Sequence, residues 1–372
     1  MTYCRQAWVP RWRAIFVVAN ILSICTAFAS WGPPKPNSSV LPMNLQKDDE
    51  CVKTSEILSL ESIRSTLIRQ EETIIFALIE RAQFRRNEIV YKKGGFGDLG
   101  CPLGSKEGDE VLSFLEYMLM GTEALHCGMR RYTSPEEAPF FPHRLPDGPV
   151  KNLPKLDYPE ILAPDASHVN FNQILLQKYI DTIVPSLTTS GDDEQHGSCT
   201  LCDIAALQAL SRRVHYGKFV AESKYRADPE GYQRLVDAND ADGVMALLTN
   251  APVEQMVIRR AGLKAATYGR DPLLSASLQM EEVTDVNTAI VAAAAASAVV
   301  AAVEAMDGRK QHGKVDPAVI EAIYRDIIIP ITKDIEVAYL FRRCGKEPPC
   351  QFSPDRKFTG VELGPTPVGA QN

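Results

Sequence analysis

The chain has little that would bind it to nucleic acid, metal or a disulfide framework. Its 372 residues carry a net charge of −7. No block of like basic charge appears, so the concentrated cationic face that phosphate neutralisation needs is missing and a nucleic-acid partner is not expected. The nine cysteines are odd in number and lack the even, regular spacing of a disulfide framework. Cys199 and Cys202 have C-x-x-C spacing, but no second Cys or His pair accompanies them. That argues against zinc and leaves redox chemistry as a weak option beside incidental helix-terminus cysteines. Gly94-Gly95-Phe96-Gly97 follows no strand and lacks the Gly-Lys-Ser/Thr ending of a phosphate loop, so it reads as an ordinary loop. No strand alternation, internal repeat, metal site or cofactor motif is visible.

What is present is a 45% hydrophobic composition, enough for one large or two ordinary globular domains. The first thirty residues stand apart. Arg5, Arg11 and Arg13 precede an apolar run from Ala14 to Ala29 that closes on small residues, the layout of a secretory signal peptide. The run is too short for a comfortable membrane span, so no stable insertion is expected once it is removed. Residues 31–55 then carry no acid before Asp48, as a transit peptide would. A signal followed by a transit-like segment resembles the bipartite presequence of algae with secondary plastids, and points to a plastid. A plainly secreted protein is the alternative.

From Leu58 onward the pattern is helical and the expected fold is all-α, with long core helices. Leu60, Ile63, Leu67, Ile74, Ile75, Leu78 and Ile79 recur at helical steps, predicting a long helix opened near Ser59 and running to about Phe84. A second helix is expected over about 107–129, followed by a proline-rich crossing from Pro135 to Pro164. Helices should return over about 170–186, from Asp203 to about Arg226, as two short pieces over 229–248, and from Pro252 to about Tyr268. An Ala-rich stretch from Asn287 to Met306 is helical by propensity. Asp316-Pro317 opens a closing helix that runs to Arg343 with Pro330 bending it. Residues 346–372 read as a disordered tail.

Charged residues among apolar ones mark where chemistry belongs, because burying a charge is costly without compensation. Arg64 lies beside Ile63 and ahead of Leu67 and Ile68; it either points inward or snorkels at the edge of the apolar stripe. Arg213, Gly217, Val220 and Lys224 share one helical stripe, and the gap at Gly217 suits either a small dianion gripped between two cations or a tight helix crossing. Asn250 and Glu254 bracket Pro252 as an ordinary cap and first-turn acid would. Thr332 and Glu336 share a face at i, i+4; a carboxyl between Ile335 and Val337 is placed for a raised pKa and for donating a proton in a hydrogen bond.

Several strings resemble the all-helical chorismate mutases of yeast and plants: Leu60-Glu61-Ser62-Ile63-Arg64, Glu72 to Arg81, Thr133 to Pro142, Leu162-Ala163-Pro164, Leu210 to Lys224, and Ile329 to Lys333. The resemblance is collinear from about Leu58 to Arg343. It departs in an extra segment at about 272–314, which includes the Ala-rich stretch. It implies a homodimer that converts chorismate to prephenate without metal or cofactor, a domain over 56–345, and a regulatory region at about 125–205. By it, Arg64 and Arg213 would hold the substrate carboxylates, while Lys224 and Glu336 would flank the ether oxygen of the breaking bond. Asn250, Glu254 and Thr332 would complete the pocket. It also implies aromatic amino acid effectors, tryptophan activating and tyrosine inhibiting, with Arg130, Arg131, Gly197 and Ser198 at the matching positions. A non-catalytic helical binding protein of the same fold is the rival reading.

Overall fold

The computed structural model describes residues 57–100, 111–148, 153–154, 161–269 and 314–354. The presequence, the Ala-rich segment and the last eighteen residues of the tail therefore lie outside the described residues. Among those described there is no strand. The helices are α1 (Leu60–Arg81), α2 (Phe114–Gly128), α3 (Asn172–Lys178), α4 (Val184–Leu187), α5 (His196–His215), α6 (Gly217–Ala227), α7 (Pro229–Asp237), α8 (Ala241–Leu248), α9 (Ala251–Tyr268), α10 (Pro317–Ile323) and α11 (Ile329–Arg343).

Local chemistry sets their ends. Ser59 caps α1, its hydroxyl accepting from the Ser62 amide at 3.2 Å. Helix α2 begins at Phe114 and not near Glu107, because Ser113 and Glu116 form a reciprocal capping box: Ser113 Oγ accepts from the Glu116 amide at 3.2 Å, and the Ser113 amide donates to Glu116 Oε2 at 2.8 Å. Helix α5 starts earlier than Asp203, at His196, and is separated from α6 by the turn at Tyr216. Residues 346–354, expected in an unstructured tail, include a 3₁₀ turn at Cys350–Phe352 whose Phe352 is buried.

Two prolines fall inside helical stretches, and each is accommodated the same way. A π turn at Tyr179–Ile183 precedes Pro185, and another at Tyr324–Ile328 precedes Pro330. Val184 donates to the Tyr179 carbonyl and Ile329 to that of Tyr324, each five residues back. Widening the turn moves aside the carbonyl that a proline ring would otherwise strike, so the expected bend at Pro330 becomes a π turn. Both sites read Tyr-x-Asp-x-Ile-(Val/Ile)-Pro, a local likeness of seven residues.

Two apolar clusters make the core. One is built mainly from α1, α2, α3, α5, α9 and α10; the other from α6, α7, α8 and the segment at Ile161 and Leu162. Helix α11 belongs to both, giving Ile331, Ile335 and Ala338 to the first and Val337, Leu340 and Phe341 to the second. A helix buried all round has no solvated face for its charges, and it is on this helix that Thr332 and Glu336 sit.

One buried ionic hub pins the first cluster. Arg81 Nε meets Asp203 Oδ1 at 2.5 Å, both side chains fully buried, and the hydroxyls of Tyr91 and Tyr179 donate to the same carboxylate at 2.9 and 2.8 Å. Cys199 lies against it, its Sγ 3.7 Å from Asp203 Oδ2. Burial there pushes the Cys199 thiol up to about 12, and it raises Cys202 as well. Neither thiol of the C-x-x-C pair is a ready thiolate at neutral pH, so the pair is structural.

Candidate active site

The site begins with the residue that has no side chain. A Cβ on Gly217 would lie 2.9 Å from Thr332 Cγ2, 3.1 Å from the Thr332 carbonyl oxygen and 3.3 Å from Glu336 Cγ. Glycine lets α6 close on α11, which makes the tight crossing the reading that holds at this position. The crossing also builds the site. Two turns along α6, Lys224 Nζ comes to 3.8 Å from Glu336 Oε2 and donates to the Leu248 carbonyl at the end of α8.

Arg213, Lys224, Asn250, Glu254, Thr332 and Glu336 line one pocket of about 140 Å³, walled by apolar side chains that include Leu67, Val220 and Val257. Arg213 is buried, and its Nε has no hydrogen-bond partner among the described residues. Burial lowers its pKa, opposed by Tyr324, Glu71 and Glu336. Asn250 caps α9, its Oδ1 accepting from the Val253 amide at 3.3 Å, which leaves the amide NH₂ for the pocket. The Thr332 hydroxyl donates to the Ile328 carbonyl at 2.7 Å, leaving its lone pairs as acceptors.

Glu336 is only 6% exposed. Burial pushes its carboxyl up to about 7 against the pull of Lys224, Arg213 and Lys333, so near neutral pH much of it is protonated and able to donate. Lys333 also lines the pocket and pairs with Glu254 Oε1 at 3.0 Å. The sequence reading gave Lys333 no role, although it lies four residues after Ile329 and three before Glu336, on the same helical face. Three cations therefore face one carboxylate and one largely neutral acid, an excess of positive charge suited to a dianion.

Arg64 is the exception. It is exposed on α1 and makes no hydrogen bond or ion pair among the described residues. Leu67, one turn further on, lines the pocket and Arg64 does not. In this structure it is the edge residue of the apolar stripe.

The four positions matched to an effector site do not meet within one chain. Arg131 is fully engaged: its Nε donates to Glu137 Oε2 at 3.0 Å, and its Nη1 contacts Gln208 Oε1 at 3.1 Å and His126 Nδ1 at 2.8 Å. Arg130 has a left-handed backbone, φ 63°, and reaches the Pro154 carbonyl. Gly197 and Ser198 are exposed in the first turn of α5. Gln208 lies eleven residues beyond Gly197 in α5, roughly 16 Å along the axis, so Arg131 and the α5 N-terminus sit at different ends of that helix.

No family model matches the chain, but individual relatives do. A chorismate mutase of Schizosaccharomyces pombe is 42% identical over 290 residues, 78% of this chain and 98% of that protein. Among solved structures, the Candida albicans chorismate mutase in complex with L-Trp superposes with a TM-score of 0.63 at 36% identity, covering 79% of this chain and 95% of that one. The chloroplast chorismate mutase of Zea mays does so with a TM-score of 0.60, also at 36% identity, covering 79% and 98%. Relatives that are chorismate mutases over nearly their whole length decide against a non-catalytic binding protein. With its fold, its pocket and these likenesses in agreement, the chain belongs to the chorismate mutases, isomerases that rearrange chorismate to prephenate.

Proposed function

We propose that the Lys224–Glu336 pocket is where chorismate rearranges, and that its residues act by binding and polarising alone. A pericyclic rearrangement needs neither nucleophile nor base. A protein assists it by holding a compact conformer and by stabilising the charge that develops on the ether oxygen. Arg213, with an unpartnered Nε at the pocket wall, is suited to one substrate carboxylate. Lys224 and a protonated Glu336 flank the ether oxygen, one as a cation and one as a neutral donor. Asn250 and Thr332 orient the ring, with Glu254, held by Lys333, on its hydroxyl. Arg64 serves as the second carboxylate ligand by swinging from its exposed position over Leu67 when substrate enters. The observation that carries this reading is the buried, near-neutral carboxyl facing a lysine 3.8 Å away in a net cationic pocket. A coupled assay of chorismate loss tests it: activity is expected from the purified chain and a loss of about 100-fold or more on Lys224→Met, and equal rates in both would refute it.

The protein works as a homodimer regulated by aromatic amino acids, tryptophan raising and tyrosine lowering its activity. Exposed Leu125, Met129 and Leu201, at 72%, 64% and 60%, flank the candidate effector residues. Because Arg131 and Gly197 stand far apart in one chain, a two-fold neighbour that brings its own Gly197-Ser198 helix start to Arg130 and Arg131 would complete an effector site. A carboxylate there would meet an arginine pair and a helix N-terminus. Rates insensitive to both amino acids would remove this reading. We place the protein in a plastid on the order of its first two segments, in keeping with the chloroplast relative from Zea mays; a fluorescent fusion of residues 1–60 separates that from secretion.

A further inference from the structure

A second cleft among the described residues stands apart from the substrate pocket. About 560 Å³ in volume, it opens between the loop after α2 and the segment before α3, and it shares no lining residue with the site around Glu336. One charged group of the helical core reaches it. Lys218, the second residue of α6, is 2% exposed yet lines this cleft. Its Nζ donates to the Ser167 carbonyl at 2.8 Å, the one acceptor it has among the described residues. An ammonium has three N–H donors, so two remain for whatever occupies the cleft. Burying an ammonium this deeply is costly unless something compensates the charge. Here only Glu136 acts on it through space, while burial drives its pKa down to about 8.

Such a residue is costly as packing and economical as a ligand. A helix position that needed only bulk would take methionine or leucine at no desolvation cost. The cleft around it has a particular character. Pro135, Pro139, Ile161, Leu162 and Pro164 give it apolar walls, whereas its acid, Glu137, is already committed to Arg131 and Arg212. Thr133, Ser134, His168 and Asn170 add polar groups to the same lining, but Lys218 is the one lysine or arginine in it, so a dianion such as phosphate would keep a charge uncompensated. A single carboxylate on an apolar body would satisfy Lys218 and bury its hydrocarbon against the prolines.

We propose that this cleft is a second ligand site, distinct from the chorismate pocket, that takes a small organic monocarboxylate with Lys218 as its counter-charge. Because Lys218 adjoins Gly217 at the α6–α11 crossing, the site stands one residue from the contact that sets Thr332 and Glu336.

The test uses the full chain with ¹⁵N-labelled lysine side chains, where the Lys218 Nζ signal is the one lost in Lys218→Arg. Sodium benzoate is expected to shift that signal saturably and to raise its titration midpoint, while benzamide, the same shape without charge, leaves it in place. Isothermal titration gives an independent reading: Lys218→Met, checked for unchanged helicity, should lose one benzoate-binding event or weaken it about tenfold or more. The proposal is overturned if benzoate leaves the Lys218 signal unmoved, if benzamide or inorganic phosphate moves it equally, or if the isotherm of Lys218→Met matches that of the unaltered chain.

Discussion

Glu336 shows how one residue's environment sets its chemistry. The same carboxyl on a solvated helix would be ionised at pH 7 and would repel an ether oxygen gaining negative charge. Buried on α11, its pKa moves from the ordinary 4.5 to about 7. A carboxyl whose folded pKa is raised binds more protons folded than unfolded. Its contribution to stability is therefore complete below the unfolded value and is lost as pH rises through the folded one. Two consequences follow for one variant. Activity of the unaltered chain should decline as pH rises through about 7 as the donor is lost, whereas Glu336→Gln, a permanent neutral donor, should keep most of the activity and show no such decline; Glu336→Ala should lose about 100-fold or more. Urea midpoints should also fall less with pH for Glu336→Gln than for the unaltered chain between about pH 5 and 8. Parallel pH profiles for all three chains would show that Glu336 does not act as the proton donor.

At the scale of elements, the helices were legible because apolar period survives in a sequence, while backbone irregularities leave that period nearly intact. The π turns before Pro185 and Pro330 shift register by one residue over five, which is too little to disturb a stripe. The start of α2 was legible in Ser113 and Glu116, whose spacing marks a cap, and in Gly108-Asp109 ahead of them, a turn signal that an expected start near Glu107 passes over. Lys333 was missed because a lysine in a helix usually belongs to its solvated face, and only burial of α11 on all sides turns it inward. Arg131 shows the reverse limit. Its partners Glu137 and His126 are six and five residues away, but Gln208 is 77 residues away, and no helical period spans the loop that brings them together. Gly217 offers a clean test of the crossing it permits. Gly217→Ala pushes a methyl group to within 2.9 Å of Thr332 Cγ2 and 3.1 Å of backbone, so it should destabilise the fold by about 1–3 kcal/mol and lower kcat/KM by displacing Thr332 and Glu336. Gly197→Ala meets nothing within 4 Å, and helix propensity alone would make it neutral or slightly stabilising. Thermal melts of both variants, side by side, separate a steric cost from a general loss of glycine.

At the scale of the whole molecule, a buried hub that holds distant segments in place and the proposed dimer face predict different failures. The hub at Asp203 joins α1, α5 and the π turn after α3 through Arg81, Tyr91 and Tyr179. Asp203→Asn would leave Arg81 buried without its counter-charge. That should cost about 3–5 kcal/mol, read as a large drop in urea midpoint, and it should lower activity only as far as the chain unfolds. The proposed dimer face rests on Leu125, Met129 and Leu201, each exposed on its helix. Side chains so exposed add almost nothing to the stability of one chain, so a charge placed there leaves the monomer's fold intact. Across a two-fold interface the same charge would face its own copy and be desolvated, which costs far more than a surface substitution. Leu125→Glu with Leu201→Glu should therefore halve the mass seen in sedimentation, keep the thermal midpoint of the helices, and preserve chorismate turnover, because Lys224, Glu336 and their pocket lie within one chain. On the proposed two-fold arrangement, any response to tryptophan should vanish in the double variant, since Arg131 and the Gly197-Ser198 helix start stand apart within one chain. A double variant that stays dimeric, or a monomer that still responds, would show that regulation does not pass through this face.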